Sequence, residues 1–193
     1  MDLDAYYSRY TGVGRVRRLV FAAHRATNAA SAKRARELAL QAVTADSLDA
    51  ATYQSLAMGP AASALGVHYD AAAYDRLKRG ADAKINALTK EVDIARARSQ
   101  RDDVRRNLIE LGFAYRDAGS IGDASGALQS AREYAANARQ LSDINTSMLE
   151  MSLLLLGGGA DATLAGTSGN SNQYAVSNLI NKLHSSPEAD SAV

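Results

Sequence analysis

The chain has no cysteine among its 193 residues. That removes disulfides, thiolate metal sites and cysteine nucleophiles together, and it fits a reducing compartment. Histidine is scarce as well: His24, His68 and His184 stand far apart, and none forms a His-x-x-x-His pair, so metal-ligand spacing is absent. There is no Gly-x-Ser-x-Gly elbow. No run of alternating β-branched or aromatic residues bounded by turns marks a strand. The longest purely apolar run, Leu19 to Ala23, is far short of a membrane span. The start, MDLDAYY, is acidic where a signal peptide would be basic. With no convergent acid, base or nucleophile, the expectation is a soluble intracellular protein that is not an enzyme, has no metal or cofactor, and uses neither membrane nor nucleic acid as its partner.

What the sequence does contain is helical spacing. Val16, Leu19, Val20 and Ala23 mark one face of a first helix after a turn-like Thr11-Gly12-Val13-Gly14. Ala35, Leu38, Ala39, Ala42 and Val43 mark a second. Asp46 or Asp49 is placed to cap a third, with Tyr53, Leu56 and Ala57, which Gly59-Pro60 interrupts. From Asp70 the pattern changes. Tyr74, Leu77, Ala81, Ile85, Leu88, Val92 and Ala95 recur at steps of three and four, with no proline before Ser99. This predicts one long amphipathic helix, on the order of 40 Å at 1.5 Å per residue, whose stripe must lie along neighbouring helices or another chain. Asp75, Lys78, Asp82 and Glu91 fall on its solvent side. Asp102 or Asp103 is expected to cap the next helix, which carries Val104, Leu108, Leu111 and Tyr115 and stops at Gly119. A helix entered near Gly122-Asp123 carries Ala124, Leu128, Ala131 and Tyr134. Another, from about Leu141 to Leu156, is apolar on most sides and is expected to lie between neighbours.

The organisation expected is therefore an N-terminal helical segment over 1–69, then a long helix with a repeat over 70–156. A flexible Gly/Ser-rich loop follows over 157–172. A final helix with Val176, Leu179, Ile180 and Leu183 takes 173–186, and 187–193 form a disordered tail. Charge is uneven along this plan. Residues 1–36 carry eight lysines and arginines against Asp2 and Asp4, a balance of +6, which leaves −5 for the rest of a chain whose net charge is +1. Such asymmetry either reflects the solvated faces of two helices or offers a site to an acidic partner. Arg15, Arg17 and Arg18 are the candidate partner-binding residues.

The stretch LGFAYRDAGSIGDASGALQSARE, from Leu111 to Glu133, is rich in glycine. A phosphate loop needs a preceding strand, and its P-loop form ends in Gly-Lys-Ser/Thr. Here a helix precedes the glycines, and no lysine occurs between Lys90 and Lys182. The stretch reads instead as a tetratricopeptide-like helix pair. Leu108, Leu111, Gly112 and Tyr115 occupy its first helix, Gly119 its turn, and Ala124, Leu128 and Ala131 its second. Leu149, Leu153 and Gly157 echo Leu111, Tyr115 and Gly119 at a fixed displacement. The fold expected is all-α, with tetratricopeptide-like helical repeats in a right-handed superhelix. A stacked-repeat fold argues for binding, not catalysis.

Two blocks carry a more specific resemblance. Residues 2–24, DLDAYYSRYTGVGRVRRLVFAAH, resemble the opening of the subunit 1 family of the COP-9 signalosome. The positions that match are Asp2, Leu3, Asp4 (in place of a glutamate), Tyr6, Tyr10, Gly12, Arg15, Arg18, Leu19, Phe21 and Ala23. His24 comes one position earlier than that pattern has it. The second block resembles the family's Leu-Gly-x-x-Tyr-x-x-x-Gly repeat and is carried by Leu111, Gly112, Tyr115, Gly119, Ala124, Ala131, Arg132, Glu133 and Tyr134. The related scaffold subunit of the proteasome lid shares this repeat, and the N-terminal block separates the two. The resemblance covers about 2–156 and, less clearly, 173–186. It implies a non-catalytic scaffold in nucleus and cytoplasm, contacting other subunits and cullin–RING ligase components, within a complex that removes a ubiquitin-like modifier from cullins. It also implies a C-terminal PCI domain that this sequence does not include, as expected of an N-terminal fragment or of a truncated or divergent member. A free-standing tetratricopeptide-like adaptor for short peptides is the alternative of a different class.

Overall fold

The computed structural model describes residues 3–157 together with Ser177 and Ile180. Among these residues the protein is all-α, with nine helices and no strand. They are α1 (Leu3–Tyr7), α2 (Gly12–Arg25), α3 (Ala29–Asp46), α4 (Ala50–Ala57), α5 (Pro60–Ala64), α6 (Ala71–Ala97), α7 (Arg101–Asp117), α8 (Ile121–Arg132) and α9 (Ala138–Gly157). The loop expected over 157–172 starts later, since Gly157 is still the last residue of α9. The remainder of that loop, most of the final helix and the tail lie outside the described residues. Of that helix, Ser177 and Ile180 are described and helical.

The residues fall into two compact units. One comprises the chain up to Ala83 with Asp117–Gly119, and the other Lys84–Arg116 with the described residues from Ser120 onward. The core of the first is built by Val16 and Leu19 of α2, Leu38, Ala39, Ala42 and Val43 of α3, Tyr53 and Leu56 of α4, and Ala73 and Leu77 of α6. The stripes read from the sequence are the faces that pack, and α2 lies mainly against α3. Asp49 caps α4, its carboxylate accepting from Thr52 N (2.8 Å) and Thr52 Oγ1 (2.6 Å). Gly59, at φ 101°, turns the chain into Pro60, the first residue of α5, a position where proline's missing N–H costs nothing.

In the second unit, Val92 and Ala95 of α6 join Val104, Leu108 and Leu111 of α7, Ile121, Ala124, Leu128 and Ala131 of α8, and Ile144 and Met151 of α9. The 27-residue α6 is the long helix expected, and Asp75, Lys78, Asp82 and Glu91 are exposed on it as expected.

Several boundaries differ from the sequence reading. The turn expected at Thr11–Gly14 lies earlier: residues 8–11 link α1 to α2, Thr11 is the N-cap, and Gly12 (φ 60°) already opens α2, which runs on through Val13 and Gly14. Asp102 and Asp103 do not cap α7 but lie in its first turn, because the chain turns earlier, at Ser99 (φ 56°). There they favour the positive end of the helix and pair with Arg105 and Arg106. α8 ends at Arg132, so Tyr134 lies beyond it and folds back onto the core. α9 starts at Ala138, since Asn137 Oδ1 accepts from Gln140 N at 2.9 Å and sets the start. Its burial is one-sided: Ile144 and Met151 are buried, whereas Leu153 is 53% exposed.

Candidate functional site

The helix pair singled out in the sequence is a real packing unit. α7 and α8 run antiparallel, since Arg101 at the start of α7 donates through Nη2 to the Glu133 carbonyl past the end of α8 (3.0 Å). Farther along the pair, Gly112 faces Leu128 and Ala124. A Cβ placed on Gly112 would lie 3.0 Å from Leu128 Cγ, 3.2 Å from Leu128 Cδ2 and 3.3 Å from the Ala124 carbonyl oxygen. The missing side chain is thus what lets the two helices close. Leu108, Leu111, Ala124, Leu128 and Ala131 are buried in that core and Tyr115 packs at its edge. Gly119 ends α7 at φ 82°. The amide of Ser120 bonds the Tyr115 carbonyl (2.9 Å), the six-to-one bond of a Schellman stop. A Cβ on Gly119 would meet the Asp49 carboxylate at 2.5 Å. All eight sequence-predicted repeat residues therefore occupy this pair and its turn.

The echo in α9 is weaker. Leu149 is half-buried, Leu153 is exposed and Gly157 is the last residue of α9.

The three candidate arginines do not form one patch. Arg15 pairs with Asp46 of α3 at 3.5 Å. Arg18 donates to the Gly14 carbonyl (3.2 Å) and lies over the Tyr10 ring, 4.3 Å from its centroid. Arg17 projects from another side of α2, because residues two apart on a helix do not share a face. Much of the N-terminal positive charge is engaged within the molecule. Arg34 binds Asp4 (3.0 and 2.5 Å) and pairs with Glu37, and this contact holds the Asp4 carboxyl below its usual range. Arg36 is only 5% exposed and donates through Nη1 to the Leu56 carbonyl at 2.8 Å. Burial lowers its guanidinium's affinity for the proton, while the acceptor at the C-terminal end of α4 favours the cation.

Sequence reasoning passed over Phe21 as a surface residue. It is 54% exposed and lies off the Val16–Leu19–Ala23 stripe, which was the available signal. Arg25 sits over its ring, 5.7 Å from the centroid. Beside Arg25 a hollow of ≈ 250 Å³ opens between α2 and α3, lined by Ala22, Ala26, Asn28, Ser31 and Ala35 among others. A second open hollow of ≈ 490 Å³ lies along α6 and α7, with the exposed Ile94 among Glu91, Arg98, Asp103 and Arg106. Among the described residues no group of three or more histidine or acidic side chains could hold a metal ion. No helix of the described residues is long and apolar enough to cross a membrane. The chain matches no protein-family model and no curated protein.

Proposed function

We propose that this chain is a non-catalytic scaffold, the N-terminal helical arm of a subunit of the COP-9 signalosome type, acting through protein–protein contacts. The observation that supports a helical-repeat scaffold is the α7–α8 pair, while the choice of the signalosome over the proteasome lid rests on the resemblance of residues 2–24. The residues on which the resemblance rests, Leu111, Gly112, Tyr115, Gly119, Ala124 and Ala131, are those that close one helix on the other, with Leu128 seated over Gly112. A scaffold of stacked helix pairs binds through extended surfaces and needs no convergent acid–base group. In this reading the pairs belong to a tetratricopeptide-like right-handed superhelix. Its partners are other subunits and cullin–RING ligase components, in nucleus and cytoplasm.

The test is affinity purification of the tagged natural protein followed by mass spectrometry. Recovery of the other signalosome subunits, including a metalloprotease subunit, is the expected result. Recovery of proteasome-lid subunits in their place would assign the chain to that related scaffold. Short peptides with no stable assembly would make it a free-standing adaptor. A purified chain that by itself cleaved a ubiquitin-like modifier from a cullin would overturn the scaffold reading.

A further inference from the structure

We infer that α2 carries a docking site for an acidic segment of a partner protein that presents a single apolar side chain, built from Arg17, Arg18, Phe21 and Arg25. The inference rests on the scaffold reading and adds to it the chemistry of one partner. Arg17, Phe21 and Arg25 follow one another at four-residue spacing and so share one face of the helix. Arg18 flanks Phe21 at three. Phe21 is the most exposed large apolar residue among those described, while Val16, Leu19 and Ala23 of the same helix are buried. Burying an aromatic ring of this kind is the largest single contribution a small interface can offer.

Charge names the occupant. α2 contains no acidic residue at all. Arg15 and Arg34, by contrast, have carboxylate partners within the molecule. Arg17, Arg18 and Arg25 have none among the described residues. Arg18 already donates to the Gly14 carbonyl and lies over Tyr10. Arg17 and Arg25 are therefore the guanidiniums open to the bidentate carboxylate pairing that arginine favours, with Arg18 adding charge beside them. The hollow beside Arg25 has walls of Ala22, Ala26 and Ala35, which suit an aliphatic side chain next to a carboxylate. A nucleic acid fits less well. Its affinity comes from a long series of phosphate contacts, whereas the unpaired cations here surround one ring and an alanine-lined hollow.

The test is a titration of the isotopically labelled full chain, followed by amide resonances. The probe is a short Asp/Glu-rich peptide with one central leucine. The comparison probes are the same peptide with that leucine replaced by serine and a single-stranded oligothymidylate of matched charge. Saturable shifts confined to α2 and the start of α3 are expected, with a Kd below about 1 mM. The serine peptide, Phe21→Ala and Arg25→Glu should each weaken binding at least about fivefold, whereas Lys90→Glu, the same charge change elsewhere, should not. These positions are exposed, so an unchanged helical circular dichroism spectrum certifies each variant as folded. Absence of shifts, shifts away from α2, equal affinity for the serine peptide, or tighter binding of the oligothymidylate at the same residues would each overturn the assignment. If signalosome subunits still co-purify after such a failure, only the docking site is lost and the scaffold reading stands.

Discussion

At the scale of single residues, three glycines of one helix pair make opposite demands. Gly112 is there for space. Alanine would press a methyl group to 3.0 Å from Leu128 and 3.3 Å from the Ala124 carbonyl, and Gly112→Ala is expected to cost about 1–3 kcal/mol through overpacking. Gly119 is there for both conformation and space. Its φ of 82° strains any L-residue, and the Asp49 carboxylate occupies the place of a Cβ. Gly119→Ala should therefore lose about 2 kcal/mol or more. Gly126 has neither reason: it is exposed inside α8 and a Cβ there meets nothing within 4 Å. Gly126→Ala should stabilise the chain by roughly 0.5–1 kcal/mol. Denaturant melts of the three variants check the order, and a destabilising Gly126→Ala would contradict the open surroundings. Arg36 is the residue the sequence disguised, since a charge among charges looks like surface. It is buried, with a 2.8 Å bond to the Leu56 carbonyl. Arg36→Ala is expected to lose about 1.5–3 kcal/mol, and Arg36→Met, which keeps the stem packed, less of it. Equal losses in the same melts would mean that the stem contributes nothing.

At the scale of elements, period decided what could be read. The stripes of α2, α3, α6, α7 and α8 were legible because buried apolar residues recur every three to four positions. α1 was not, being five residues with no repeat of its stripe. The candidate pair α7–α8 was legible for a stronger reason: a glycine opposite a leucine, with a stop glycine between the helices, is a local pattern that fixes a packing. The arginine site was not, because what neutralises Arg15 is Asp46 and what neutralises Arg34 is Asp4, partners about thirty positions away that no local window joins. The first turn of α7 supplies a pH test. Arg105 holds the Asp102 carboxyl below the usual carboxylate range. The folded chain thus binds that proton more weakly than the unfolded chain does. The stabilisation is complete above about pH 4 and is lost as the pH falls through the lowered folded-state value. Asp102→Asn should melt earlier than the parent at neutral pH, and the gap should narrow as the pH falls below about 4. A gap that stayed constant over that range would show that the charge on Asp102 is not what matters.

At the scale of the whole molecule, the described residues form two cores with no residue in common, and one helix supplies both. Ala73 and Leu77 of α6 belong to the core of α2, α3 and α4, and Val92 and Ala95 of the same helix to the core of α7, α8 and α9. Between them, Ile85 and Leu88 are only partly buried. Cooperative opening follows shared burial, so each core defines its own unit of local unfolding. Leu19→Ala and Leu128→Ala, each at a fully buried leucine, remove comparable volume from one core apiece and should each cost about 2.7–5 kcal/mol locally. Hydrogen exchange followed residue by residue separates their effects. Leu19→Ala should speed exchange in α2, α3, α4 and the part of α6 around Leu77, while the amides of α7 and α8 keep their protection. Leu128→Ala should do the reverse, with the part of α6 around Val92 responding. If either substitution speeds exchange equally in both sets, the two cores open as one unit and α6 transmits the loss along its 27 residues. If the division holds, α6 carries a boundary between two units within a single unbroken helix, with no linker composition to mark it in the sequence.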